Sequence, residues 1–298
     1  MLINRLGEFA LIERIRKSIK TDASVVVGSG DDCAVLKFNQ SHYQLFSCDM
    51  LVEGVDFTKV TDPYLVGRKA LAVSLSDIAA CAGIPTHAVV SLGIPKNTLV
   101  KKIDRITKGI TDLAKEYAVN IVGGDISRSK ELIIDVSILG TVEKKFLIAR
   151  SGAKKGDIIL VSGELGGSIK GKHLWFKPRL EEARFLVQNF QVNSMIDISD
   201  GLTQDLNHIL KASNRGAVIY ESLIPISKDA RGLEDALSAG EDFELLFTMP
   251  RLEAKKLLDA GYAGFMAIGE IFDRKIGFRL IKNSGKVINI KPKGFRHF

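Results

Sequence analysis

The sequence predicts an α/β (α+β) protein of two domains. Segments with helical periodicity alternate along its whole length with short apolar runs of strand type. Its 298 residues, 46% of them hydrophobic, suffice for two ordinary cores. Midway, the basic, glycine-bearing stretch Arg150-Ser-Gly-Ala-Lys-Lys-Gly156 interrupts the alternation. The junction set there divides an N-terminal domain, 1–149, from a C-terminal domain, 150–298.

Leu6, Phe9, Ala10, Glu13, Ile15 and Ile19 give an amphipathic opening helix. Runs at 25–27, 34–38 and 43–47 read as strands, each with an acidic residue close by. The stretch 64–82 reads as a helix, 87–93 as a strand ended by Pro95, and 99–117 as a helix. A strand over 120–122 is expected to stop at Gly123-Gly124-Asp125, and another runs over 132–142. The second half opens with a strand over 157–161. Helices follow over 181–190, 202–212 and 252–260, with strands over 217–220, 267–271 and 287–290. The segments SLSD at Ser74 and DISD at Asp197 share a Ser-Asp core, too short a match to establish a duplication.

The formal charge of +7 comes from lysines and arginines scattered among acids, without a basic block or interleaved aromatics. Such a surface suits small anions, and no nucleic-acid partner is expected. Cys33, Cys48 and Cys81 are isolated thiols without metal or disulfide spacing, which fits a reducing compartment. Arg5, Glu8, Glu13, Arg14 and Arg16 break the N-terminal apolar pattern, and no later run would span a bilayer. A cytoplasmic protein without membrane attachment is expected.

The segment GGSIKGKH, Gly166 to His173, has the glycine and lysine spacing of a phosphate loop. His173, however, offers no hydroxyl to magnesium, and no acidic partner strand is evident. Asp242-Phe243-Glu244 likewise lacks the glycine of a protein-kinase DFG motif. What stands out is a set of single aspartates abutting apolar runs: Asp32 in GSGDDC, Asp49 in SCDMLVEG, Asp77 in SLSDIAA, Asp125 in GGDI and Asp197 in DISDGL. Magnesium takes hard oxygen ligands, commonly carboxylates together with substrate phosphate oxygens, and α/β sheets bind ligands at their strand ends.

Each motif also has a plainer reading. Asp31 and Asp32 suit a hairpin turn as well as a metal site. Gly123 and Gly124 suit a turn as well as a phosphate's close approach. Ser199 and Asp200 suit a helix N-cap, and Arg150 suits either a solvated loop or a phosphate clamp. Asp77 is different, because inside AVSLSDIAACA a carboxylate is costly unless paired or bound to a cation.

With these motifs stand Gly7-Glu8-Phe9, the run Asp49-Met-Leu-Val-Glu-Gly54, Lys69-Ala-Leu-Ala-Val73, Gly240-Glu-Asp-Phe-Glu-Leu245 and Lys293-Gly-Phe-Arg-His-Phe298. In that order, nearly end to end, the chain resembles thiamine-monophosphate kinases, members of the superfamily that includes aminoimidazole ribonucleotide synthetase. The resemblance implies an N-terminal α/β domain that dimerises through its sheet and a larger C-terminal α/β domain. It implies transfer of the γ-phosphoryl of ATP to thiamine monophosphate, with several Mg2+ ions as cofactors and ATP as co-substrate. The metal ligands it implies are Asp32, Asp49, Asp77, Asp125, Asp197 and Asp200, with Ser47 and Cys48 at neighbouring metal-contact positions. Gly124, Asp125, Arg150 and Ser199 match its ATP contacts, and Glu241 and Phe295 its substrate contacts. Asp56 stands where a substrate-contacting histidine is common, Cys48 where threonine is usual, and Ile126 where threonine often follows the GGD.

A phosphate monoester has its second pKa near about 6, so the implied acceptor is already largely dianionic and needs no general base. Asp49, Asp77 and Asp125 would act through metal. The chemical difficulty is repulsion between anions, which bound cations and an arginine would relieve. Another ATP-using superfamily member is the alternative, disfavoured by GEDFEL and KGFRHF. A non-catalytic nucleic-acid binder, suggested by a pI of 9.2, would bind with a steep salt dependence.

Overall fold

A computed structural model describes residues 3–262 and 264–297; Phe298, the last residue of KGFRHF, lies outside the described residues. Gly7, with φ of +78°, divides the expected opening helix into α1 (Ile3–Leu6) and α2 (Glu8–Ser18). Ile12 and Ile15 of α2 remain exposed.

Strands β1 (Val25–Val27), β2 (Ala34–Lys37), β3 (His42–Val52), β4 (Ile84–Ile94), β5 (Asn120–Arg128) and β6 (Ile133–Glu143) form a six-stranded sheet in the order β1-β2-β3-β6-β4-β5. Helix α3 (Pro63–Ala80) carries the chain from β3 to β4, and α4 (Val100–Glu116) is the crossover between β4 and β5, which pair in parallel. Asp62 caps α3 by accepting from the Tyr64 N–H at 2.8 Å, and Pro63 occupies its first turn. The two helices cross in close contact. A Cβ on Gly67 would lie 2.0 Å from the Ile106 carbonyl, and one on Gly109 2.0 Å from that of Tyr64.

β3 shows how this sheet is used. Leu45, Ser47 and Leu51 are buried beneath the helices while Phe46, Cys48 and Met50 are exposed on the other face. The two-residue period places Asp49 on the helix-covered face with Ser47.

The second sheet comprises β7 (Ile158–Val161), β8 (Ser194–Asp197), β9 (Arg215–Tyr220), β10 (Leu245–Met249), β11 (Met266–Asp273), β12 (Phe278–Ile281) and β13 (Val287–Asn289), in the order β13-β12-β9-β11-β7-β10-β8. Around it run α5 (Lys172–Trp175), α6 (Leu180–Asn189), α7 (Leu202–Ser213), α8 (Leu233–Ser238) and α9 (Arg251–Asp259). Leu202, Leu206 and Ile209 of α7 and Ala236 of α8 form one core with the sheet. Ala183 and Leu186 of α6 and Leu257 of α9 form another, continuous with the core beneath the first sheet. Helix α3 lies in that shared core, touching α4, α5, α6, β3 and β8. This position between the halves lets one helix offer side chains to both.

Four strands differ from expectation. β8 and β10 were not anticipated because SMID and LLFTM are buried on both faces and carry no alternation. β12 was hidden by Arg279 within FRLI. β5 does not stop at the glycines but runs through Gly123, Gly124 and Asp125, with Gly124 needed because a Cβ there would fall 1.8 Å from the Val90 carbonyl of β4. Among the described residues no helix is long and apolar enough to cross a membrane.

Candidate active site

At about 100° per residue, Ser74 and Ser76 leave α3 on opposite sides, with Asp77 on the edge between them. Ser74 donates to Asp49 Oδ2 of β3 at 2.7 Å, and Ser76 to Asp197 Oδ2 at the end of β8 at 2.6 Å. Asp77 accepts from the Ser47 hydroxyl of β3. Asp32, in the loop before β2, brings a further carboxylate, so that Asp32, Asp77 and Asp197 offer oxygens all within 4.8 Å of one another. Elements from both sheets therefore meet at the helix edge that carries Asp77.

Arg150 supplies the balancing charge. Its guanidinium donates to Asp32 Oδ1 at 2.6 Å, and its backbone N–H to the Asp31 carboxylate at 3.1 and 3.2 Å. Ser213, at the end of α7, accepts from the N–H groups of Gly152 and Ala153 at 3.1 Å. The Arg150 loop is thus fastened on both sides rather than solvated. Asp32 Oδ2 is buried without a hydrogen-bond partner among the described residues.

One cation does not neutralise this many acids. Burial, followed by the charges of Asp49, Asp197 and Asp32, pushes the Asp77 carboxyl well above its ordinary value. Burial and Asp32 push Asp197 up to about 7; burial with Asp135 and Asp32 pushes Asp49 up to about 6. The folded values exceed the ordinary 3.8, so between about pH 4 and pH 7 the folded chain binds more protons than the unfolded one, and its stability falls as pH rises. In chelator, the thermal midpoint is expected to be higher at about pH 5.5 than at about pH 8, and added magnesium should raise the value at the higher pH most. A scanning-fluorimetry series across these conditions checks this; a midpoint rising steadily with pH in chelator would contradict the convergence of carboxylates.

Other residues singled out in the sequence lie elsewhere. Asp200 sits in a neighbouring group with Asp205 and His208, its carboxyl raised to about 6 by burial and by Glu8. Asp200 is not the helix cap. Gly201 holds that position, and Asp205 within α7 reaches back to accept from the N–H groups of Asp200 and Gly201 at 3.1 and 3.0 Å. Ser199 accepts through its carbonyl from the Glu241 N–H at 2.7 Å, and Phe295 donates its N–H to the Asp200 carbonyl at 3.0 Å. Glu241 is bound to Lys69 and lies 3.2 Å from His173 Nδ1. The Asp56 carboxylate accepts from the Val52 N–H at 2.7 Å and shapes the turn after β3.

Cys48 and Asp125 are not brought to the cluster. Strand register aligns Asp125 with Ser91, Asp135 and Met50 across the first sheet, on the face opposite Asp49. The Cys48 thiol points to that same open face, where Asp135 adds to the effect of burial in raising its pKa. Gly124 adjoins Asp125 on β5. Sequence reasoning gave no role to Ser74, Ser76, Lys69 and Asp205. The first three had a signal, being polar side chains inside an otherwise apolar, buried helix.

The description "AIR synthase related protein, N-terminal domain" matches residues 30–142, and "AIR synthase related protein, C-terminal domain" matches 126–281. The thiamine-monophosphate kinase of Buchnera aphidicola subsp. Schizaphis graminum is 36% identical over 98% of this chain and 99% of its own. That of Escherichia coli K12 is 34% identical, with 98% of each chain covered. The chain belongs to the thiamine-monophosphate kinase family. A solved structure described as AaThiL complexed with AMPPCP and TMP matches all of this chain and 99% of its own with a TM-score of 0.88 at 31% identity. The α/β fold expected from the resemblance is therefore the fold of the family. A HypE-HypF complex, at 21% identity and a TM-score of 0.77, shares the fold alone.

Proposed function

We propose that the chain transfers the γ-phosphoryl group of ATP to the phosphate of thiamine monophosphate, forming thiamine diphosphate and ADP by direct, magnesium-dependent, in-line displacement. The observation that carries this reading is the convergence of Asp32, Asp77 and Asp197 beside the Arg150 guanidinium. Its support from relatives is the likeness to a protein complexed with AMPPCP, an ATP analogue, and TMP.

The donors fit magnesium. All are oxygens, and Asp32 Oδ2 is a buried acceptor left without a partner among the described residues. Asp32, Asp49, Asp77 and Asp197 with the Ser47 hydroxyl would hold the ions, Asp200 standing next to them. Bound magnesium would neutralise and align the phosphate groups. The protein's own contribution is positional. Ser74 and Ser76 fix the carboxylates of Asp49 and Asp197, while Asp31 and Ser213 hold the loop from which Arg150 can grip a phosphate oxygen. No side chain need remove a proton from a dianionic acceptor. Incubation with ATP, magnesium and thiamine monophosphate is expected to yield thiamine diphosphate, and none in chelator. ATP turnover on a different acceptor, with no thiamine diphosphate, would overturn the reading.

We also propose a homodimer built on the open face of the first sheet, in the cytoplasm, where free thiols such as Cys33 and Cys81 stay reduced. Phe46, Met50 and Val122 are exposed there, 44%, 56% and 61% respectively, and the same face carries Cys48 and Asp125. Replacing one of these large apolar side chains with a carboxylate would remove apolar contact and bury a further negative charge there. Phe46→Glu is expected to convert a two-chain species to one chain in sedimentation; a single-chain wild type would remove the dimer.

A further inference from the structure

The Lys69 side chain is 0% exposed, yet it carries an ammonium group. Its Nζ donates to the Asp56 carbonyl at 2.9 Å, contacts His173 Nδ1 at 3.0 Å and donates to the Glu241 carboxylate. Two of its donors meet oxygen acceptors, and His173 Nδ1 lies within reach of both Lys69 Nζ and the Glu241 carboxylate. Burying an ion pair is seldom the most stable way to fill a core, since a well-packed apolar side chain commonly does as well or better. The arrangement therefore calls for a reason other than stability.

Its surroundings point to Glu241. The backbone of Glu241 has φ of +56° and that of Phe243 +50°, a region non-glycine residues seldom enter and one that clusters at functional sites. Hydrogen bonds from Glu241 N–H to the Ser199 carbonyl and from Phe243 N–H to that of Ile198 tie the segment to DISD, and Phe243 stacks on Phe176 with ring centroids 4.1 Å apart. The GGSIKGKH segment serves the same end. Its Gly166 N–H and Ser168 hydroxyl donate to Asp242, so that N–H is not free to cradle a phosphate, and the segment delivers His173 to Glu241 instead. Burial acts to raise the Glu241 carboxyl, but the His173 hydrogen bond and the Lys69 charge outweigh it and hold the group below its ordinary value. The Glu241 side chain keeps 24% exposure, leaving an anionic edge toward solvent.

We propose that Lys69 and His173 are positioning residues for the acceptor's organic moiety: together they lock the Glu241 carboxylate, and through the Asp56 carbonyl the turn after β3, into the geometry that receives a cationic heteroaromatic ring. This rests on the activity proposed above and on Glu241 facing the acceptor. Removing the ammonium frees Glu241 to leave its strained backbone and weakens acceptor binding, without touching the aspartates or Arg150.

Steady-state kinetics and calorimetric titration of thiamine monophosphate without ATP separate these ideas. For Lys69→Met, KM and Kd for thiamine monophosphate should rise about tenfold or more, with kcat and KM for ATP within about threefold of wild type. His173→Gln should shift the same two constants by a smaller factor, and it carries the test if Lys69→Met does not fold. Adding Glu241→Gln to either variant should change little further, because the residues act as a unit. Unchanged thiamine monophosphate affinity, or a loss spread equally over both substrates and kcat, would overturn the inference. A wild type that makes no thiamine diphosphate would instead overturn the activity on which it rests.

Discussion

Replacing Asp77 with asparagine is expected to lower thiamine diphosphate formation by about a thousandfold or more, while the fold stays as stable as before or becomes more so in chelator. The two halves of this expectation have one cause. Asp77 is surrounded by Asp49, Asp197 and Asp32, and burial together with those charges already opposes its ionisation. An amide of the same shape removes repulsion, keeps the hydrogen bond with Ser47, and withdraws a hard anionic oxygen from the cluster. Product assays at saturating ATP and magnesium, set beside thermal midpoints in chelator, measure both. A folded variant that keeps its activity would make Asp77 a structural acid.

Asp77 was also the residue most legible in the sequence, and for the same physical reason: a carboxylate within AVSLSDIAACA has to be compensated. Asp32, Asp49 and Asp197 were legible as acids at strand ends, and the structure gathers them. What the linear pattern did not carry is facing. Cys48 and Asp49 are neighbours in sequence but project to opposite faces of β3, and Asp125 lines up with Met50 rather than with Asp49. The glycine pair before Asp125 suggested a turn, whereas strand pairing places Gly124 against the Val90 carbonyl. Likewise Ser199 and Asp200 looked like caps, but the carboxylate that reaches back to the start of α7 belongs to Asp205. The buried strands of the second sheet escaped because their uniform apolarity carries no period. α3 itself was clear in outline; its place between two sheets, which gives each of its polar residues a different partner, depends on the tertiary arrangement alone.

Arg150→Met is expected to reduce both stability and turnover, in contrast to Asp77→Asn. Methionine keeps roughly the length of the side chain and removes the guanidinium that is hydrogen-bonded to Asp32. Removing one partner of a buried pair costs about 3–5 kcal/mol; the Arg150 side chain is 20% exposed, so a value near the lower end is expected, read as a decrease in the denaturant midpoint at neutral pH. The acids left behind would be harder to ionise, since Arg150 acts to lower the carboxyl values of Asp31 and Asp197. Saturating magnesium should recover part of the stability by supplying the missing positive charge. It should not recover turnover, expected to fall by about a hundredfold to a thousandfold, because a cation held by the aspartates cannot also place a guanidinium on the transferring phosphate. Arg150→Lys discriminates further: it retains charge but loses the planar fork, so stability should return more fully than activity. A merely solvated arginine would show none of this pattern, and equal stability of the wild type and Arg150→Met in chelator would place Arg150 outside the charge balance of the cluster.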